Sequence, residues 1–245
     1  FGAGGESGQA FASANGATWT RATTGTATRL NGVVHGEGWF IAVGDAGTLL
    51  ASTDGQTWER RTSGTQKSLS GVAYGAGQFV AVGDGGVIIA SQDGVTWEPK
   101  ASGTTLNLSD VAFENGTFVA VGADEPARNN ILTSADATTW TKQDSGTEFW
   151  LAGITYGDGL FVAVGWDGIR TSPDGVAWTK VAAGSAFGLF GVHHGNGAFI
   201  AVGGGGQVLT SPDGANWTTE TSSITESFLN DVLFAAGRFL IAGAD

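Results

Sequence analysis

Ser52-Thr53-Asp54-Gly55-Gln56-Thr57-Trp58 is the stretch on which the reading of this chain turns. It has the form S-x-D-G-x-T-W, and it returns five more times. Ser91 to Trp97, Ser172 to Trp178 and Ser211 to Trp217 carry Asp93-Gly94, Asp174-Gly175 and Asp213-Gly214. Ser134 to Trp140 keeps Asp136 but has Ala137 for the glycine, and Ser13 to Trp19 keeps Gly16 but has Asn15 for the aspartate. The closing tryptophans Trp19, Trp58, Trp97, Trp140, Trp178 and Trp217 are spaced by 39, 39, 43, 38 and 39 residues. A second landmark, F-[VI]-A-V-G at Phe40, Phe79, Phe118, Phe161 and Phe199 with a variant at Phe239, keeps nearly the same spacing. Asn31–Thr65 and Ser70–Thr104 share 20 of 35 residues, so the chain is an internal repeat of about 40 residues.

Each unit reads as four short strands. In residues 30 to 61, Leu30–His35 is a first strand and Gly36-Glu37-Gly38 its turn. Phe40–Val43 is a continuous apolar second strand, as expected when both faces are covered. Thr48–Ser52 is a third strand, Asp54-Gly55 a turn and Trp58 the start of a fourth. Four strands per such repeat predict an all-β fold, a β-propeller of four-stranded antiparallel blades. The ends predict how it closes. Gly8–Trp19 supplies only later strands and Leu229–Ala242 only the first two, so the two together complete a sixth blade. Residues 1–7 align with the same second strand as Phe239–Gly243, and the glycine-rich N-terminal copy is expected to be surplus. The expected domain is single, 1–245, with repeats at 30–68, 69–107, 108–150, 151–188 and 189–227, and 228–245 plus 1–29 as the closing blade.

Composition removes several functions. With 11 Lys and Arg against 23 Asp and Glu, the net charge of −12 repels a phosphate backbone, so no nucleic-acid partner is expected. No apolar run reaches 18 residues, so no membrane insertion is expected. Without cysteine there are no disulfides or thiolate metal sites. The chain tolerates an oxidising compartment, and an extracellular, cell-surface or periplasmic placement is expected. It has no methionine and starts at Phe1, which reads as a processed form, a piece of something longer or an engineered chain.

The heptapeptide resembles the Asp box, or BNR repeat, of sialidase-like propellers, and the whole unit resembles bacterial BNR-like repeat proteins. The resemblance covers all six units. It implies that Asp54, Asp93, Asp136, Asp174 and Asp213 are structural turn residues rather than catalytic ones. The photosystem assembly factors of the same superfamily, which bind other proteins, are a related case. Sialidase chemistry, as the family implies, needs three arginines on a carboxylate, a tyrosine nucleophile with a glutamate partner and an acidic proton donor. Here Arg21, Arg60 and Arg61 fall on fourth strands. Tyr74 and Tyr156 share one repeat position with His35, Phe113, His194 and Phe234, which marks a packing slot. No enzyme activity and no catalytic residue are therefore expected.

Function should sit where the repeat breaks. Second-to-third loops and fourth-to-first links share one face of a propeller, and the heptapeptide turns lie on the other. Residues 123–130, with Asp124, Glu125 and Arg128, lengthen one second-to-third loop by four. Phe149-Trp150 stands in the link where other units have Arg29, Ser68 or Asn107 before the leucine. Trp166 and Asp167 occupy the next second-to-third loop, and Phe187 the following link. Arg170 takes a third-strand position held elsewhere by Leu50, Ile89, Leu132 and Leu209. Rings beside a few charges suit a glycan or a protein ligand. The bland alternative packs Trp150 and Trp166 on each other and pairs Arg170 with Asp167. No metal or cofactor is expected, because the Asp-Gly loops offer one carboxylate each and His193 and His194 point to opposite faces. The leading expectation is a monomeric, non-catalytic binding or scaffold module. A sialidase-like glycan-processing enzyme and an amplified or engineered repeat with no ligand are the alternatives.

Overall fold

The computed structural model describes residues 2–122, 131–185, 187–220 and 228–244. Strands β1 (Gly2–Gly4), β2 (Ala10–Ala12) and β3 (Thr20–Arg21) form a three-stranded sheet in that order. Five four-stranded sheets follow, each in sequence order. They are β4 (Leu30–Gly36) to β7 (Glu59–Arg60) through β5 (Trp39–Gly44) and β6 (Thr48–Ser52); β8 (Leu69–Gly75), β9 (Gln78–Gly83), β10 (Ile88–Ser91) and β11 (Glu98–Lys100); and β12 (Leu108–Glu114), β13 (Thr117–Gly122), β14 (Ile131–Ser134) and β15 (Thr141–Gln143). Then come β16 (Leu151–Gly157), β17 (Leu160–Gly165), β18 (Gly168–Ser172) and β19 (Thr179–Val181), and β20 (Leu189–Gly195), β21 (Ala198–Gly203), β22 (Val208–Ser211) and β23 (Thr218–Glu220). β24 (Phe228–Ala235) and β25 (Arg238–Ala244) form a two-stranded sheet. The chain divides into two compact units, Phe1–Ala120 with Ser134–Thr141 and Val121–Thr133 with Lys142–Asp245. No helix among the described residues is long and apolar enough to cross a membrane.

At the ends a three-stranded and a two-stranded sheet join the five four-stranded ones, seven sheets among the described residues, and the N-terminal copy takes part in the first of them. β1 pairs with β2, Ala3 opposite Phe11, while among the described residues β25 pairs with β24 alone. The physical reason is locality. Gly5 donates to Gln9 O at 3.0 Å across a tight turn, so β1 reaches β2 by closing a very short loop. Pairing β25 with β2 would have to close a loop of more than two hundred residues.

The repeat pattern explains the blades. Second strands are buried on both sides, with Phe79, Val80, Ala81 and Val82 fully covered. In the first unit Ile41, Val43, Leu49, Leu69, Phe79, Ile89 and Trp97 form one core cluster. In the second, Val162, Val164, Ile169, Leu189, Phe199 and Leu209 form its counterpart. The tyrosine and histidine slot is a packing slot. The Tyr74 ring lies over Gly36 and that of His194 over Gly157, so closely that a Cβ on either glycine would strike it. Each ring also packs on the next strand's phenylalanine, Tyr74–Phe79 at 4.7 Å and His194–Phe199 at 4.5 Å. Tyr74 donates to Glu37 at 3.0 Å, and His194 Nε2 lies 3.0 Å from Asp158.

The heptapeptide builds a closed turn. In Ser52–Trp58, Asp54 Oδ1 accepts the backbone N–H groups of Gln56 and Thr57 at 2.8 Å and the Ser52 hydroxyl at 2.9 Å. Ser52 Oγ accepts from Gly55 N at 2.9 Å, and Trp58 Nε1 donates back to Gly55 O at 3.2 Å. Backbone donors aimed at one carboxylate stabilise its charge. They hold Asp54 and Asp174 below the usual range and bring Asp93 and Asp136 to about 2. Gly55 has φ 69°, the left-handed conformation that glycine adopts without strain. Asp213 is lowered in the same way, with an added bond from the Asn216 side chain.

Candidate functional site

Two backbone features of the repeat set up the site. First, in four sheets the residue before the first strand accepts a hydrogen bond from the residue that follows the second strand. Asp45 N donates to Arg29 O at 3.1 Å, Asp84 N to Ser68 O at 2.9 Å, Trp166 N to Trp150 O at 3.1 Å and Gly204 N to Gly188 O at 3.1 Å. The strand-ending glycines Gly44, Gly83, Gly165 and Gly203 let these backbones touch. Trp150 and Trp166, 16 residues apart in sequence, are thereby neighbours. Second, the ladder shifts register just after each first-strand leucine. The shift falls between Leu151 and Gly153 and between Leu189 and Gly191, so Ala152 and Phe190 are skipped. A bulge of this kind turns its unpaired residue out of the ladder.

In the second unit these positions carry rings. Trp150 packs on Phe190 at 6.3 Å between centroids, and Phe190 on Phe228 at 6.2 Å, with interplanar angles of 36° and 34°. Gly188 leaves the gap between Trp166 and Phe190; a Cβ there would lie 3.0 Å from the Trp166 ring. Phe187 lies on Gly205, and Phe187 and Phe228 both approach Gly204, so the Gly203–Gly206 run is an aromatic floor. Phe149, Trp150, Trp166, Phe187 and Phe228 remain 38–61% exposed, and every exposed aromatic among the described residues is one of these five.

Arg170 and Asp167, beside the rings, are committed to each other and to the backbone. Arg170 is 2% exposed. Its Nη1 and Nη2 donate to the two carboxylate oxygens of Asp167 at 3.0 and 2.9 Å. Nε donates to Ser145 O at 2.8 Å, and Nη2 also to Gly146 O at 3.3 Å. Lys180 adds a contact to Asp167 at 3.3 Å. Burial of Asp167 favours its neutral form, but the hydrogen bonds and charges of Arg170 and Lys180 outweigh it and hold the carboxyl below its ordinary value. This pair offers little to a ligand.

Of the residues singled out from sequence, the structure brings Trp150, Trp166 and Phe187 into one aromatic neighbourhood and ties Asp167 to Arg170. Phe149 is exposed in the adjoining link. Asp124, Glu125 and Arg128 lie outside the described residues. Phe190 and Phe228 are additions. Their signal was available, because they flank Leu189 and Leu229 as Trp150 flanks Leu151. Trp39 is half-buried, with the Arg61 guanidinium 5.7 Å from its ring centroid. Among the described residues, no group of three or more His, Asp or Glu side chains could hold a metal ion.

Residues 1–104 match a family described as the DUF6242 beta propeller domain. The fold is a β-propeller. Solved structures agree across nearly the whole chain. YCF48 bound to a D1 peptide has a TM-score of 0.75 at 19% identity, covering 98% of this chain and 83% of that one. YCF48 from Cyanidioschyzon merolae has 0.74 at 19% identity, covering 100% and 88%. Virginiamycin B lyase from Staphylococcus aureus has 0.81 at 11% identity, covering 99% and 90%. No curated protein sequence matches the chain.

Proposed function

We propose that this propeller is a non-catalytic binding module whose aromatic face in the second unit holds an apolar stretch of a protein partner. The observation that carries the reading is the concentration of all five exposed aromatic residues on adjoining links and turns of that unit. Exposed apolar side chains scattered singly need no explanation, but a contiguous group is the usual mark of an interaction surface. A glycan site needs polar groups that converge on hydroxyls as well as rings that stack. Of the polar candidates, Asp124, Glu125 and Arg128 lie outside the described residues, and the hydrogen-bonding capacity of Asp167 and Arg170 is directed at each other and at Ser145 and Gly146. Among the described residues the rings stand beside a closed ion pair, which suits Leu, Ile, Val or Phe side chains better than a sugar. The exposed Asp144 and Glu148 in the link, with a net charge of −12, favour lysine or arginine beside those apolar residues. The YCF48 structure, solved with a peptide, is a case of the same fold in a peptide complex.

The test is a peptide array of mixed apolar and basic 15-mers read alongside a glycan array, with wild type, Trp150→Ala and Trp166→Ala. Ring truncation at the centre of an interface typically costs about 2 kcal/mol or more, roughly 30-fold in affinity. Peptides that bind wild type and lose that much in both variants support the reading. Binding indifferent to both substitutions, or confined to glycans, overturns it.

A further inference from the structure

The aromatic face raises a structural problem of its own. In two sheets of the first unit the second-to-third turn is fastened by a hydroxyl from the link that leaves the same sheet. Thr24 Oγ1 donates to Gly8 O at 2.7 Å and Ser63 Oγ to Gly47 O at 2.7 Å. The fastening residue, Thr24 or Ser63, stands five positions after the heptapeptide tryptophan, where three further repeats carry Ser102, Ser145 and Ser222 in sequence. After Trp178 that position is Ala183, which has no hydroxyl. The turn it would fasten is the one that carries Trp166, and it is also cut short, with Gly165 paired directly to Gly168. The same sheet is where Arg170 replaces the repeat's third-strand leucine or isoleucine.

We infer that Arg170 is the positioning residue of the aromatic face, replacing the missing hydroxyl fastening by clamping the Trp166 turn to the preceding link. Its fork grips Asp167 in the turn, and its Nε and Nη2 grip the carbonyls of Ser145 and Gly146 in the link that runs on to Trp150. Both anchors are one to five residues from a tryptophan. A leucine at this place would fill space but make none of the four bonds. A lysine, a point charge on a flexible stem, could not grip two segments at once. The role rests on the reading of the face as a ligand surface, but the clamp can be tested without a ligand.

The chain has nine tryptophans, so 5-fluorotryptophan labelling gives a fluorine resonance for each, with Trp150 and Trp166 assigned from Trp150→Phe and Trp166→Phe. The probe variant is Arg170→Leu with Asp167→Ser, which removes both charges together and leaves neither unpaired. The Trp166 and Trp150 lines should shift and broaden while Trp178 and Trp217 stay in place. Unchanged lines for both tryptophans would overturn the inference, as would equal changes at Trp178 and Trp217, which would mean general loosening. Arg170→Lys should behave as the double variant does, and a wild-type spectrum from it would also count against the clamp. Nile red, a neutral apolar dye, supplies the second readout. It should bind the wild type and lose about tenfold in affinity in Trp166→Ala. Loss of the clamp should cost several-fold in the wild-type background and nothing further in Trp166→Ala, because groups acting through one another do not add. Dye binding that Trp166→Ala leaves intact sinks the surface, whereas binding that only the clamp variant leaves intact sinks the clamp.

Discussion

Leu30, Leu69 and Leu108 in the first unit and Leu151, Leu189 and Leu229 in the second are the same residue in the same place, and all six are buried. Their flanks differ. Arg29, Asn31, Ser68, Ser70, Asn107 and Ser109 surround the first three, and Trp150, Phe190 and Phe228 flank the second three. In the first unit the flanking groups bond to the nearby turns. Asn31 Nδ2 donates to Asp45 at 2.9 Å, and Asn107 accepts from Gly85 N at 2.7 Å. In the second unit Trp150 and Phe228 present rings to solvent and Phe190 a half-buried ring, with Ala152, Gly188 and Asn230 in the other three places. The leucine answers to the core and the flank does not, so the flank is free to take up a function.

If the interiors are equivalent, Phe79→Ala and Phe199→Ala, both fully buried, should each cost about 3–5 kcal/mol in chemical denaturation. A large difference between them would break the comparison at its base. Arg170→Ala, which strands a mostly buried Asp167 with only Lys180 beside it, should cost roughly 3 kcal/mol; Arg60→Ala, on an exposed fourth strand of the first unit, should fall within about 0.5 kcal/mol. Arg29→Trp with Asp45→Trp copies the Trp150 and Trp166 pair into the first unit. Stability should move by no more than about 1 kcal/mol, since the exposed Arg29–Glu6 pair at 3.4 Å contributes little, while Nile red binding should gain a second site. No gain in dye binding would mean that the flank alone does not make the face. The smallest contrast concerns pH. Carboxylates with depressed folded values stabilise above the unfolded value and lose that contribution as pH falls through the folded one. Asp93 and Asp136 lie at about 2, with Asp174 and Asp213 lowered for the same reason, so melting temperature should stay flat down to about pH 4 and fall between there and pH 2. Both units should fall together.

Much of this was open to inspection in the sequence. Evenly spaced tryptophans announced blades, because a turn closed on Asp54 and a ring donating to Gly55 depend on contacts within seven residues. Trp150, Trp166 and Phe187 stood out as breaks in the repeat. Phe190 did not, because its place among the rings comes from a register shift that alternation along a strand conceals. Arg170 was legible as an exception, but its four bonds depend on the path of a link 24 and 25 residues away. The ends were less legible, because residues 1–7 and Phe239–Gly243 align with the same second strand, and alignment does not weigh a short loop against a long one.

The backbone bond between each link and its turn has one more consequence. It is made by main-chain atoms, so it is indifferent to which side chains it joins. Arg29 with Asp45, Ser68 with Asp84, Trp150 with Trp166 and Gly188 with Gly204 are four instances of one addressable pair. Each repeat is in effect a two-letter display frame, in which residues written far apart in the chain are read side by side on the surface. A library varied at the six positions of the first three pairs would explore paired surface chemistry while the blades beneath it stayed the same, with Gly188 and Gly204 kept because rings lie against them.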